Sequence, residues 1–103
     1  TSVSSKSIEY IEENYKKELS LDEVSRAVNV SPYYFSKLFK EEKGENFVEY
    51  LTRVRMETAK KLLSTTDMSM KEICRQIGYS DPNYFSRNFK KYTGMTPTEY
   101  AKK

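Results

Sequence analysis

With 103 residues, 18 Lys/Arg against 15 Asp/Glu and a net charge of +3, the chain can form one small domain that buries roughly two-thirds of its unfolded surface, without room for a second independent core. It has no His, no cluster of metal-ligating residues and no Gly-rich phosphate loop, which leaves no obvious base near pH 7 and argues against an enzyme and against any cofactor. The single cysteine, Cys74, excludes an internal disulfide and fits a reducing cytoplasm, and no apolar run is long enough for a signal peptide or membrane span, so no membrane partner is expected.

Three Gly and three Pro among many Lys, Glu and Leu favour helices over strands, and nine Tyr with five Phe must supply much of the core. A first helix is predicted over about Ser5 to Lys17, with Ile8, Ile11 and Tyr15 on one face and Glu12/Lys16 and Glu13/Lys17 as i,i+4 pairs on the other. A second opens at Ser20 with Glu23 in a capping box and shows Leu21, Val24 and Val28 at helical spacing. It stops near Asn29, a residue type that accepts a left-handed backbone. Ser31 and Pro32 then form an N-cap and first-turn pair for a third helix, about 32–43, which ends at Gly44.

The stretch from about Asn46 to Ser64 reads as one uninterrupted helix with Phe47, Leu51, Val54 and Leu62 along its stripe. At ~1.5 Å per residue it spans ~28 Å, close to the ~34 Å between successive major-groove openings on one face of a duplex. After a loop at Thr65 to Asp67 the earlier pattern returns. Ser69 and Glu72 cap a helix carrying Met70, Ile73 and Ile77, Gly78 stops it, and Asp81 with Pro82 start a helix over about 82–93 that ends at Gly94. Thr96-Pro97-Thr98-Glu99 caps a last short helix bearing Tyr100.

The return is an internal duplication. LSLDEVSRAVNVSPYYFSKLFKEEKGENFVEY from Leu19 matches MSMKEICRQIGYSDPNYFSRNFKKYTGMTPTEY from Met68 at an offset of 49, then 50 after one extra residue near Asp81. Each copy places a short helix, a tight turn and a longer aromatic-cored helix in order, the layout of a helix-turn-helix. Cys74 aligns with Ser25, which predicts a small side chain where two helices cross. In the third helix Phe35, Leu38 and Phe39 share one side while Tyr33, Ser36, Lys37 and Lys40 share the other; in its copy Phe85 and Phe89 oppose Asn83, Ser86, Arg87 and Lys90. Tyr34, Phe35, Phe39 and their copies are expected in the core.

A helix with hydrogen-bonding and cationic groups opposite its core face suits a major groove, where base edges present donors and acceptors. Arg87 has the fork for the O6/N7 edge of guanine, Asn83 the amide for adenine, and Lys37 reaches guanine or phosphate; Tyr33 and Ser36 are adaptable contacts. Lys40, Lys90 and Lys91 lie further along and suit phosphates, as do the helix N-termini at Ser20 and Ser69. Charge is uneven: residues 1–67 carry eleven Lys/Arg against twelve Asp/Glu, residues 68–103 seven against three, so the second half should supply more phosphate attraction. The rival to DNA binding is a helical protein-interaction module whose polar faces dock another protein.

Gly78-Tyr79-Ser80, Tyr84-Phe85-Ser86, Phe89-Lys90-Lys91, Gly94, Thr96-Pro97 and Tyr100 resemble the DNA-binding domain of AraC/XylS-type bacterial transcription regulators, over about Ser20 to Tyr100. The resemblance implies an all-α fold of seven helices: one helix-turn-helix subdomain over about 5–45, a linker helix over about 46–64, and a second subdomain over about 65–103, within a domain spanning 1–103. It implies sequence-specific binding of double-stranded promoter DNA through successive major grooves, action on RNA polymerase, and a place on the nucleoid in the cytoplasm. By position, the base-facing sites fall on Tyr33, Ser36 and Lys37, then on Asp81, Asn83, Ser86 and Arg87; Arg55 matches a frequent arginine with a structural or phosphate-directed role. Ser25 and Cys74 stand where the family usually has Ala, and Ala101 where Arg is common after the tyrosine. The chain does not start with Met and contains no sensor, so it is expected to be part of a longer protein. IEYIEENYKKELSLDEV resembles members that follow a receiver domain of a two-component system, with a ligand-sensing domain as the alternative upstream partner.

Overall fold

The computed structural model describes residues 2–102; Thr1 and Lys103, the ends of the predicted domain, lie outside the described residues. Among those described there are seven α-helices and no strand: α1 (Val3–Asn14), α2 (Leu21–Ala27), α3 (Pro32–Lys43), α4 (Phe47–Thr65), α5 (Met70–Ile77), α6 (Pro82–Thr93) and α7 (Pro97–Ala101). The all-helical class follows the sequence expectation. The chain divides into two compact units, passing from one to the other within α4 between Arg53 and Val54, and each unit closes around its own buried residues. This corrects the expectation of a chain too short for a second core: the two ends of one long helix each complete a separate small cluster.

In the first unit α1, α2 and α3 pack pairwise. Ile11, Val24, Phe35 and Phe39 are essentially sealed from solvent, and the start of α4 adds Phe47, Tyr50 and Leu51. The aromatic rings form a chain, with Phe35 5.5 Å from Phe39 and 6.1 Å from Phe47, and Phe39 5.5 Å from Tyr50. Phe39–Tyr50 and Phe35–Phe47 meet edge-on, the arrangement that aligns ring edges with facing π-clouds.

Helix α1 is set back by three residues at its end from the predicted span. Ser2 caps it by accepting from the Ser5 N–H at 3.1 Å, and Asn14 closes it by donating from its amide to the Tyr10 carbonyl at 2.8 Å. Its buried stripe is Ser4, Ser7 and Ile11; Ile8 and Tyr15 are only partly covered. Because the helix ends before Lys16, the expected Glu13/Lys17 pair is replaced: Lys17 reaches Glu23 at 3.1 Å. That carboxylate also accepts from the Tyr10 hydroxyl at 2.7 Å, so Glu23 serves tertiary contacts and leaves only half of the predicted capping box, the Ser20 Oγ accepting from the Glu23 N–H at 3.0 Å. The Tyr10 hydrogen bond and Lys17 hold the Glu23 carboxyl below its ordinary pKa.

Two complete capping boxes stand elsewhere. Asn46 and Glu49 open α4 reciprocally at 2.9 and 2.8 Å, and Thr96 and Glu99 open α7 at 2.8 and 3.1 Å, the second as predicted. Helix α4 does not bury the single stripe expected. Phe47 and Leu51 are buried, but Val54 and Leu62 are only partly so, because beyond Arg53 a different face, Met56, Ala59 and Leu63, goes inward.

That second face belongs to the second unit, where Met56, Ala59 and Leu63 pack with Ile73, Cys74 and Ile77 of α5 and Phe85 and Phe89 of α6. Tyr100 of α7 closes the cluster, its ring meeting Phe89 edge-on at 5.5 Å. Tyr92 donates to the Glu57 carboxylate at 2.9 Å and ties α6 to α4. No buried side-chain nitrogen or oxygen among the described residues lacks a partner.

The aromatic core is therefore narrower than predicted. Phe35, Phe39, Phe85 and Phe89 are at most 1% exposed, whereas Tyr34 and Tyr84 are 51% and 50% exposed. Phe39→Ala is expected to cost about 3–5 kcal/mol of stability through its cavity, and Tyr34→Ala no more than about 0.5 kcal/mol, in denaturant unfolding. Glu99, whose carboxylate accepts from the Thr96 N–H, is held below its ordinary value of 4.5. Its contribution to stability is complete above that ordinary value and is lost as pH falls through the lowered one. Thermal melts between pH 7 and pH 3 should therefore show a smaller acid loss for Glu99→Gln than for the parent chain.

Candidate nucleic-acid interface

The two recognition elements are set by the same local devices. Asn29, at φ 63°, is the one non-glycine residue with positive φ among those described, and its counterpart Gly78 sits at φ 91°. Just beyond each, a backbone N–H turns back over five residues, from Val30 to the Ser25 carbonyl at 3.0 Å and from Tyr79 to the Cys74 carbonyl at 2.9 Å. This is the 6→1 bond of a Schellman closure, and it ends α2 and α5 at equivalent points. Ser25 and Cys74 supply those carbonyls and are themselves 0% and 2% exposed, which explains why both positions hold small side chains. Burial raises the Cys74 thiol pKa, so it stays protonated and structural.

Each turn delivers the chain into a capped helix. Ser31 Oγ accepts from the Tyr34 N–H at 3.2 Å, and Asp81 Oδ1 from the Asn83 N–H at 2.9 Å, with Pro32 and Pro82 in the first turns. Gly44 and Gly94, both left-handed, end α3 and α6. With Phe35 and Phe39 buried, the opposite face of α3 is fixed outward. Tyr33 is 79% exposed, Lys37 and Lys40 are exposed, and Ser36 is half-covered. On α6, Phe85 and Phe89 are buried, Asn83, Arg87, Lys90 and Lys91 are exposed, and Ser86 is half-covered.

The remaining predicted residues are differently placed. Asp81 is exposed but has one carboxylate oxygen engaged as the cap of α6. Ser20 and Ser69 are exposed, their hydroxyl oxygens accept from the Glu23 and Glu72 N–H groups, and their hydroxyl protons together with the other first-turn backbone N–H groups are the donors that can meet an anion. At α2 those groups lie beside Asp22 and Glu23, which compete with a phosphate; at α5 the first-turn acid is Glu72, which pairs with Arg75 at 3.2 Å. Arg55 is half-buried, its guanidinium 5.5 Å over the ring of Tyr79.

Sequence reading missed one assembly in the second unit. Tyr79 lies 5.8 Å from Tyr84, and the Arg87 guanidinium lies 5.7 Å over the Tyr84 ring. The i,i+3 spacing of Tyr84 and Arg87 was the available signal. The outward groups of α6 include Arg87, Lys90 and Lys91 with no acidic residue in the helix, while α3 intersperses Lys37, Lys40 and Lys43 with Glu41 and Glu42.

Comparison with known proteins places this geometry. A family profile described as a helix-turn-helix domain matches residues 24–103. The transcriptional regulatory protein YesN of Bacillus subtilis (strain 168) is 51% identical over 76 residues, which is 72% of this chain and 21% of that protein. The lactose operon transcription activator of Staphylococcus xylosus is 39% identical over 93 residues, 90% of this chain and 33% of that protein. The chain thus spans a third or less of these curated relatives. Among solved structures, the C-terminal domain of AraT, a response regulator from Geobacillus stearothermophilus, matches with a TM-score of 0.95 and 36% identity, covering 99% of this chain and 85% of that one.

The turn makes a prediction of its own. Gly78→Ala places a Cβ on a left-handed residue and should cost about 1–2 kcal/mol, whereas Asn29→Gly, which relieves that strain, should leave stability nearly unchanged or slightly raised. Equilibrium unfolding of the two variants checks the contrast.

Proposed function

On the premise that this chain belongs to the AraC-type helix-turn-helix family of transcription regulators, we propose that it binds double-stranded promoter DNA with sequence preference and regulates transcription. In this reading α3 and α6 enter successive major grooves, and α4 joins the two DNA-reading subdomains. The observation that carries it is the repeated face: a buried Phe pair at i,i+4 on each recognition helix turns Tyr33, Ser36 and Lys37, and Asn83, Ser86 and Arg87, away from the core.

Within that reading Arg87 and Asn83 are the principal readers, Lys37 a reader or phosphate contact, and Tyr33, Ser36 and Ser86 adaptable partners. Asp81 reaches a base edge most freely with its second oxygen, the first already accepting the Asn83 N–H at the helix cap. Lys40, Lys90 and Lys91 neutralise phosphates and set register, and the N-terminus of α5 at Ser69 receives a phosphate more readily than that of α2 at Ser20. Arg55, held over Tyr79, supports the second turn. The role is binding, not catalysis. As part of a longer protein, the domain would recruit or block RNA polymerase under control of an upstream domain. A receiver is favoured by the likeness to the C-terminal domain of a response regulator.

Selection of duplexes from a random pool should recover two boxes about one helical turn apart. On the selected site Arg87→Ala should weaken binding by about 1–3 kcal/mol and relax preference at one base pair. Lys90→Ala should weaken selected and random duplexes alike and lower the slope of log affinity against log salt by about 1. Equal losses for Arg87→Ala on both duplexes would overturn its reading role. A chain that binds no duplex at low salt would favour protein docking instead.

A further inference from the structure

Four side chains of the second unit form a row of cation, ring, ring and cation. The Arg55 guanidinium lies 5.5 Å over Tyr79, Tyr79 lies 5.8 Å from Tyr84 at an interplanar angle of 56°, and the Arg87 guanidinium lies 5.7 Å over Tyr84. Tyr79 is anchored from behind, its ring 5.7 Å from that of the fully buried Phe85. Tyr84 itself is half-exposed and contributes little to the core. Its ring does have one defined consequence: it gives the long, otherwise mobile Arg87 side chain a surface to rest on. A guanidinium is attracted to the face of an aromatic ring, and it keeps its in-plane N–H fork free while stacked there.

The first unit lacks this support. Tyr34 takes the place of Tyr84 and is similarly exposed, but Lys37 stands where Arg87 does and Val30 where Tyr79 does. The row is therefore a feature of one recognition helix and not a by-product of the repeated fold.

We propose that Tyr84 is a specificity-determining positioning residue, whose ring, backed by Tyr79 and Arg55, holds the Arg87 guanidinium in the pose that reads a base. The inference rests on the DNA-reading role proposed above. Holding the arginine in place before DNA arrives reduces the side-chain freedom lost on binding, and the gain falls only on the duplex whose base edge matches that pose. Tyr84 touches no base in this scheme; it acts through Arg87.

The test measures dissociation constants for the duplex recovered by selection and for a shuffled duplex of equal composition. The proteins are the parent chain, Tyr84→Phe, Tyr84→Ala, Arg87→Ala and the Tyr84→Ala/Arg87→Ala double variant. Tyr84→Ala should reduce the preference for the selected duplex about two- to fivefold, with affinity for the shuffled duplex unchanged. Tyr84→Phe, which keeps the ring, should behave as the parent, and Tyr84→Ala should have no further effect once Arg87 is gone. Tyr34→Ala should leave the preference at the base pair read by Arg87 unchanged. If Tyr84→Ala melts early, Tyr84→Leu, which keeps apolar bulk without a π face, carries the same expectation. Equal weakening on both duplexes, or additive losses in the double variant, would overturn the proposal by making Tyr84 a direct DNA contact. Undiminished preference in Tyr84→Ala would overturn it as well. A parent chain that enriches no sequence would instead remove the DNA-reading role, and this inference with it.

Discussion

Burial of two phenylalanines one helical turn apart governs each recognition helix. Phe35 with Phe39, and Phe85 with Phe89, sit 5.5 and 5.6 Å apart and are shut away from water. At ~100° per residue such a pair fixes the rotation of its helix about its own axis, and that rotation decides which side chains face outward. The transfer free energy of two aromatic side chains far exceeds what any surface residue on α3 or α6 contributes. The polar face is therefore a consequence of the core. The caps at Ser31 and Asp81, the left-handed Asn29 and Gly78, and the small Ser25 and Cys74 then place the start of each helix.

Much of this was legible because it is local. Gly and Asn before a capping residue and Pro mark a turn into a helix through backbone sterics alone, and the i,i+4 aromatics mark a face through geometry alone. The misreadings share a different origin. The spacing of Glu23 from Ser20 fits the second half of a capping box, but a hydroxyl thirteen residues earlier, on Tyr10, and the ammonium of Lys17 compete for the same carboxylate. Helical spacing assigns Tyr34 and Tyr84 to the core with the phenylalanines, but their position beside the Phe pairs turns them half outward. The pattern of helix α4 suggests one stripe, since a sequence does not announce that a continuous helix serves two cores with different faces. Ser4 and Ser7 escaped notice because small polar residues carry no hydrophobic signal, yet they allow close packing; Ser7 donates to the Ser4 carbonyl at 2.8 Å.

The two units share a plan and differ in chemistry. The first tempers its cations with Glu41 and Glu42 on the recognition helix and with Asp22 and Glu23 at the start of α2. The second carries no acid on α6 and adds the aromatic row beneath Arg87. The duplicated scaffold thus carries different electrostatics and different side-chain support in its two copies. The roles proposed for them are correspondingly unequal, with stronger phosphate attraction and the more ordered reading group in the second.

Because Tyr33, Lys37, Asn83 and Arg87 project into solvent while the phenylalanines carry the packing, the outward residues are nearly free of structural duty. Substitutions at such positions shift stability by only a few tenths of a kcal/mol, well inside the margin of a small domain. New operators can then be acquired by exchanging a handful of side chains without renegotiating the interior, which gives a lineage of such domains latitude to diversify its targets while its architecture stands still.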